Sequence, residues 1–149
     1  MANSWTSAET NLLAYLLTQL GDTEDVTGFV GEYPGHFADE TVDHMWFVAI
    51  TGGGTPDDVG AGVAYCGMNA KAVWDGVYTS RADAQADAIA IKNLLPLAVG
   101  TVTNLSDLRL ESEPEIERAI VQRDPDQESA GHVRVWRVIV PMTCIVTGS

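Results

Sequence analysis

Two histidines and three carboxylates crowd into one short stretch of the sequence, at His36, Asp39, Glu40, Asp43 and His44. Imidazole and carboxylate groups are the side chains that bind zinc or exchange protons in catalysis. A zinc-binding helix would show the HExxH spacing, which this stretch lacks, and the third histidine, His132, belongs to a distant segment. The stretch therefore predicts solvated loop and strand-edge residues and no metal site.

Two further segments contain residue types that bind ions. Asp22, Glu24 and Asp25 could supply oxygen ligands to calcium, but the ligand pattern and the glycine of an EF-hand loop are missing. The segment 52–55, Gly-Gly-Gly-Thr, is similar to a phosphate cradle, yet no Gly-Lys-Ser/Thr follows it, and Asp57 and Asp58 would repel phosphate. This composition favours a flexible loop between two strands.

Nucleophilic catalysis lacks a motif in this sequence. No GxSxG segment is present, and neither Cys66 nor Cys144 is flanked by a residue that would act as its base. Both cysteines lie in apolar, strand-like runs without CxxC spacing, which favours reduced, buried side chains over a disulfide. We therefore expect no catalytic residue, no cofactor-binding residue and no metal ligand, and we predict that the protein is not an enzyme.

The composition describes an acidic globular chain. The 149 residues carry 21 acidic and 8 basic side chains, a formal net charge of -13. Such a charge repels phosphate backbones and disfavours a DNA or RNA reader. It suits a surface past which nucleic acid must slide, and solubility alone would explain it equally well. No secretion signal or membrane span is visible, which predicts a cytosolic product or a particle component made in the cytosol.

The first half of the chain predicts a helix followed by strands. Thr6 and Glu9 have the spacing of a capping box. The leucines from Leu12 to Leu20 recur with helical period before Gly21, which predicts a helix of about fifteen residues. The segment 22–39 predicts a loop with a short strand near residues 29 and 30. The segment 42–51 predicts a strand that is covered on both faces.

The second half of the chain predicts a second helix between strands. The segment 62–78 is β-like, either as one bent strand or as a hairpin. Ser80 is a plausible cap for an alanine-rich helix that ends before Pro96. A shorter β-like piece follows at 99–102, and the pattern through Leu105, Leu108 and Leu110 is assigned to no element. The segments 116–123 and 132–147 predict a closing antiparallel hairpin.

The last strand pattern is unusually long and apolar. A strand over 132–147 would span roughly 50 Å at ~3.3 Å per residue, which exceeds the usual length of a strand. Pro141 cannot donate to a sheet ladder and predicts a bend or an edge. We expect this strand to lack cover within its own chain and to form a subunit interface. Its expected contact residues are Trp136, Arg137, Val138, Val140, Met142 and Ile145.

The aromatic and basic residues near this strand allow two interpretations. Trp46, Trp74 and Trp136 lie in predicted strands and are most simply core residues, although any of them would also suit an interface. Arg134 and Arg137 alternate to opposite faces, so we expect at least one to reach solvent or a carboxylate of a neighbouring subunit. The whole chain, residues 1–149, is expected to form one α+β domain. Its sheet should be mainly antiparallel, with about four to five strands and two helices packed on one face.

The order of these elements resembles that of a known family. A capped N-terminal helix is followed by a strand ending in Val-Ala-Ile at 48–50, and WDGVYTS at 74–80 leads from a strand into a helix. A polar turn and a strand with VWRVIV at 135–140 close the chain. This layout, together with the size and acidity, is similar to that of the tail terminator, or tail completion, proteins of long-tailed bacteriophages, which include minor tail protein U of lambda-like phages.

The resemblance implies a structural role in the virion. Tail terminators form a hexameric ring that caps the tail tube, stops its polymerisation and offers a docking surface to the connector of the filled head. Double-stranded DNA would pass through the ring lumen without sequence-specific binding. The implied partners are copies of this chain, the tail tube protein and the head–tail connector, at the head-proximal end of a tail assembled in the host cytoplasm. Another neck or tail-tube component, or a small ligand-binding or enzymatic domain, are the alternatives.

Overall fold

The computed structural model describes residues 4–20, 26–37, 41–51, 56–58, 64–127, 129 and 131–147. Over these residues two α-helices and seven strands follow one another along the chain. The helices are α1 (Ser4–Leu20) and α2 (Arg81–Leu94), and a short 3-10 helix (Leu95–Ala98) extends α2. The strands are β1 (Val26–Val30), β2 (His44–Thr51), β3 (Pro56–Asp58), β4 (Ala64–Gly76), β5 (Leu105–Leu110), β6 (Glu115–Gln122) and β7 (His132–Thr147).

All seven strands belong to one sheet, in which β1, β2, β4 and β7 are consecutive neighbours. Only the β1–β2 pair is parallel, and β3 extends the sheet along β4. The α+β class and the mainly antiparallel sheet are therefore as predicted. The strand number is higher than the predicted four to five, because short strands share the edges of the long ones.

The length of β7 is explained by its two successive neighbours on one side. Its first half pairs with β6 as far as Ile139, and its second half pairs with β5 from Met142 onward. Pro141 lies at the junction, where its carbonyl accepts a hydrogen bond from the Glu111 amide at 2.9 Å. The N–H and C=O of one strand residue point to the same side of the strand. The N–H that Pro141 lacks would therefore point towards the junction of β6 and β5. β7 is a continuous strand, and Pro141, where a bend or an edge is predicted, lies where the pairing with β6 ends and the pairing with β5 begins.

Both helices pack on the same face of the sheet, as predicted. Alternate residues of β2, β4 and β7 point towards them, in keeping with the period of two along a strand. The cluster contains Leu12 and Leu16 from α1, Ile91 from α2, and the two tryptophans Trp46 and Trp74, whose ring centroids lie 4.8 Å apart. This helix-side cluster is the larger core of the molecule.

The opposite face of the sheet is covered by a crossing segment, residues 31–37. It begins where the Gly31 amide donates to the carbonyl of Val48 on β2, and it ends at the outer edge of β6. There the Phe37 amide donates to the carbonyl of Gln122, and the Gln122 amide donates to the carbonyl of Gly35. Phe37 is fully buried against Met45, Val121 and Val135, which explains why β2 is apolar on both faces.

Three local predictions concern the segment 62–78, the cap of α2 and the segment 99–102. The segment 62–78 contains a single strand, β4, and the Ser80 hydroxyl caps α2 by accepting from the Asp83 amide at 3.2 Å. The β-like piece at 99–102 is wrong, because the amides of Thr101 and Val102 bond back to the Ala98 carbonyl. Gly100, with a φ of 84°, provides the left-handed backbone that this turn requires.

Glu9 does not close the predicted capping box. Its carboxylate accepts a hydrogen bond from the Ile50 amide of β2 at 2.9 Å, and the side chain is largely buried. The register of β1 against β2 ends at Val48, so the Ile50 amide lies beyond the last partner on that edge. Glu9 therefore satisfies an edge amide of the sheet from the first turns of α1.

Candidate subunit interface

Three of the predicted contact residues are unavailable to a neighbouring subunit. Val138, Val140 and Met142 each have 0% of their surface exposed within the single chain. β4 pairs along one edge of β7, β6 and β5 pair along the other, and the helices cover the face to which these side chains point. The interface prediction is wrong for these three residues, because β7 finds its cover within its own chain.

Trp136, Arg137 and Ile145 retain partial exposure. Arg137 lies on the face opposite the helices and makes two hydrogen bonds to the fully buried carboxylate of Asp75, from Nε at 2.8 Å and from Nη2 at 3.1 Å. The carboxylate that was expected from a neighbouring subunit is thus supplied by the same chain. Arg134 is exposed to solvent.

Tyr33 completes a polar cluster with this ion pair. Its hydroxyl donates to Asp75 and accepts from Arg137, and the guanidinium lies 4.6 Å from the centroid of its ring. Burial, followed by the charge of Asp75, raises the pKa of the Tyr33 hydroxyl above its ordinary value. Burial lowers the pKa of Arg137, but the hydrogen bonds and charge of Asp75 outweigh it and leave that pKa raised. The cluster fastens the crossing segment to the sheet.

A second polar cluster lies at the corner between β4 and α2. The indole Nε1 of Trp74 donates to the Tyr78 hydroxyl at 2.7 Å, and this hydroxyl donates to the Asp87 carboxylate on α2. His44 stacks on Trp74 with ring centroids 5.1 Å apart. These bonds connect the buried tryptophan of the sheet to the helix that follows it.

On the side of the sheet that carries the helices, the part of the β6–β7 hairpin beyond Ile116 and Val138 is exposed to solvent. Arg118 is paired with Trp136 and Ile120 with Arg134 in the register, so the four side chains share this face with Ile116 and Val138 of the helix-side core. Ile120 is 66% exposed, and the Arg118 guanidinium lies 4.3 Å from the Trp136 ring centroid. We call the four residues Arg118, Ile120, Arg134 and Trp136 the arginine patch.

The same hairpin is acidic near the turn that joins β5 to β6, where Glu115 and Glu117 point to the face opposite the arginine patch and Glu113 reaches Lys92 of α2 on the helix side. The exposed carboxylates there are Glu111, Glu113, Glu115 and Glu117, which we call the glutamate edge. Lys92 pairs with Glu113 at 2.7 Å, and Arg137 approaches Glu117 at 3.8 Å. Within the described residues, Glu111 and Glu115 have no basic partner. In EIERAIVQ at 115–122, Glu115 and Glu117 lie two residues apart and Arg118 has the opposite parity. This alternation is the sequence signal that separates the two faces.

The residues considered for metal binding are dispersed. His36 bridges to Gln122 at the edge of β6, His44 stacks in the β4–α2 corner, and Asp43 pairs with Arg123 at 2.9 Å. Asp39, Glu40, the segment 22–25 and the segment 52–55 lie outside the described residues. Where side chains are described, no group of three or more His, Cys, Asp or Glu residues could hold a metal ion.

The described cysteine and tryptophan side chains differ in burial. Cys144 is a free, buried thiol, and the Cys66 side chain lies outside the described residues. Burial, followed by the charge of Asp107, raises the pKa of the Cys144 thiol to about 11. Trp46 and Trp74 are core residues, whereas Trp136 reaches the surface.

Comparisons with known proteins identify no relative of this chain. No protein-family model matches the chain, and no curated protein matches its sequence. Among the helices that the structure describes, none combines the length and the apolar character needed to cross a bilayer.

Proposed function

We propose that this chain is a structural virion protein that assembles into a ring, caps the tail tube of a long-tailed phage and joins it to the head connector. The proposal assigns it no catalytic role. Its partners are copies of itself, the tail tube protein and the connector, and its place is the head-proximal end of the tail.

The observation that carries the proposal is the two-faced hairpin of β6 and β7. One face exposes two arginines beside Ile120 and Trp136, and the opposite face exposes Glu115 and Glu117. Different, complementary surfaces on one chain favour head-to-tail contacts, which close into a ring when the rotation between neighbours permits. The fold supports the resemblance in layout as well, with a helix before the sheet, a strand leading directly into α2, and a closing hairpin.

The charge of the molecule is consistent with passage of DNA through such a ring. A net charge of -13 disfavours binding of the phosphate backbone, because few cations are available to displace its counterions. A lumen lined by acidic side chains would let DNA slide. This is the surface that a ring on the path of the genome requires.

Electron microscopy of the protein mixed with its tail tube protein tests the proposal. We expect closed rings of uniform diameter at one end of each tube, and tubes that stop growing once the ring is added. Open tubes built from this chain itself would instead support a tail-tube component. Absence of both rings and tube-end binding would refute a role in the tail.

A further inference from the structure

The two arginines of the arginine patch differ from four other basic residues of the described structure in having no carboxylate partner. Lys92, Arg109, Arg123 and Arg137 each form an ion pair within the chain. In the described structure, Arg118 and Arg134 do not lie within ion-pair distance of any acidic group. Two unpaired guanidinium groups on a chain of net charge -13 mark a site for an acidic partner.

The apolar members of the patch favour a protein as that partner. Ile120 is one of the most exposed large apolar side chains of the chain, and Trp136 lies beneath the Arg118 guanidinium. Tryptophan and arginine dominate the energetic centres of protein interfaces. A phosphate backbone would be held mainly by several cations, and it would be repelled by the acidic remainder of the surface.

The same chain offers a matching acidic surface. Glu111 and Glu115 are exposed and have no basic partner among the described residues, and they belong to the glutamate edge beside the same hairpin. Glu115 and Glu117 alternate with Arg118 and Ile120 along β6, so these two carboxylates point to the side of the sheet opposite the arginine patch. Two copies can therefore bring the two surfaces together head-to-tail, and each copy keeps one surface free for the next.

We propose that the arginine patch of one subunit docks on the glutamate edge of a second copy of this chain. The inference rests on the proposed function, since it names the contact that would build the ring. It commits to Arg118 and Arg134 on one side and to Glu111 and Glu115 on the other.

Charge reversal on each side, followed by mixing, tests this contact. Sedimentation velocity of the full chain gives the self-association constant for the wild type, for R118E/R134E and for E111K/E115K. We expect each double variant alone to weaken self-association by about 100-fold, because like charges then face each other. An equimolar mixture of the two variants should recover it, since every contact in an alternating assembly again joins opposite charges.

Two exposed positions outside both surfaces provide matched controls. Lys71→Glu and Glu32→Lys change the charge in the same way as the single reversals and should leave self-association within about 2-fold of the wild type. Thermal unfolding checks that every variant folds. The recovery in the mixture also excludes misfolding as the cause of the loss.

The outcomes separate this contact from the proposed function. If the wild type self-associates and R118E/R134E does so equally well, the contact is overturned while a ring built through another surface stands. If the wild type stays monomeric up to several hundred micromolar, both the contact and the support for self-assembly fall. Should R118E/R134E instead abolish retention of duplex DNA with sedimentation unchanged, the patch is a phosphate site and the inference is wrong.

Discussion

At the scale of single residues, the buried polar groups show how the sheet completes its hydrogen bonds. The Ile50 amide continues β2 past the end of β1 and is satisfied by the carboxylate of Glu9. An edge amide buried without an acceptor costs free energy comparable to a lost hydrogen bond. A single glutamate in the first turns of α1 therefore stabilises both the helix position and the end of the strand.

Removal of this acceptor should destabilise the fold. We expect Glu9→Ala to lower the free energy of unfolding by about 1–3 kcal/mol, because the Ile50 amide is left without a partner. Glu9→Gln keeps a carbonyl oxygen in place and should lose clearly less. Urea unfolding at neutral pH measures both. Equal losses in the two variants would show that the carboxylate charge, and not the acceptor, is what matters.

Cys144 should give the protein a measurable pH dependence in the alkaline range. Burial raises the pKa of its thiol from 9.0 to about 11, so above pH 9 the unfolded chain releases a proton that the folded chain keeps. The contribution is complete below pH 9 and is lost as the pH rises towards 11, by about 2 kcal/mol. We expect Cys144→Ala to lose less stability than the wild type between pH 8 and pH 11. Parallel curves for the two proteins in urea would contradict this assignment.

At the scale of elements, the side chains of Tyr33 and Phe37 add to the backbone hydrogen bonds that attach the crossing segment to the sheet. Tyr33 bonds to Asp75 of β4 and to Arg137 of β7, and Phe37 fills the space above Val135. Asp75 has no exposed surface, so its charge depends on Arg137 for compensation. The segment thus connects the middle of the sheet to its β6 edge.

The ion pair beneath the crossing segment should be far more sensitive than an exposed one. We expect Arg137→Met to cost about 3–5 kcal/mol, because it leaves a buried carboxylate without its partner. Lys92→Met is the control, since its partner Glu113 has a side chain that is 75% exposed, and its salt bridge should contribute less than about 1 kcal/mol. Chemical denaturation compares the two variants. A loss for Arg137→Met no greater than that of the control would mean that water already reaches Asp75.

The corner between β4 and α2 should tolerate no side chain at Gly76. A Cβ there would lie 2.5 Å from Tyr78 and 2.8 Å from His44, both of them ring atoms packed in the corner. We expect Gly76→Ala to lower the unfolding free energy by about 1–3 kcal/mol through displacement of these rings. Adding Tyr78→Leu removes one obstacle, so the cost of Gly76→Ala should shrink in that background. A full double-mutant cycle of unfolding free energies measures the coupling.

Local sequence signals predicted the helices and strands better than they predicted which distant residues come into contact. The Ser80 cap and the leucine period of α1 act within one or two turns of helix, so the sequence alone was sufficient for them. The bond from Ile50 to Glu9 and the Asp75–Arg137 pair join residues 41 and 62 positions apart, which no local pattern indicates. Three of the predicted contact residues on β7, Val138, Val140 and Met142, are buried for the same reason: β5 and β6 together cover an edge that appeared free.

At the scale of the whole molecule, the excess of acidic groups opposes the compact state. Twenty-one acidic side chains share the chain with 8 basic ones, and within the described residues four of the basic ones pair with carboxylates of their own chain. The remaining negative charges repel one another over the surface. Folding must therefore overcome this repulsion, and any assembly of copies increases it.

Salt should consequently stabilise this protein. Raising NaCl from 20 to 500 mM shortens the Debye length from roughly 20 Å to a few ångströms and screens the repulsion between exposed carboxylates. We expect the midpoint of thermal unfolding to rise by several degrees, because the exposed ion pairs that salt weakens contribute little and the repulsion involves the whole surface. Calorimetry at pH 7 and at low protein concentration isolates the folded chain from any assembly. A midpoint that falls with salt would mean that attractive exposed pairs such as Lys92–Glu113 outweigh the net charge of -13.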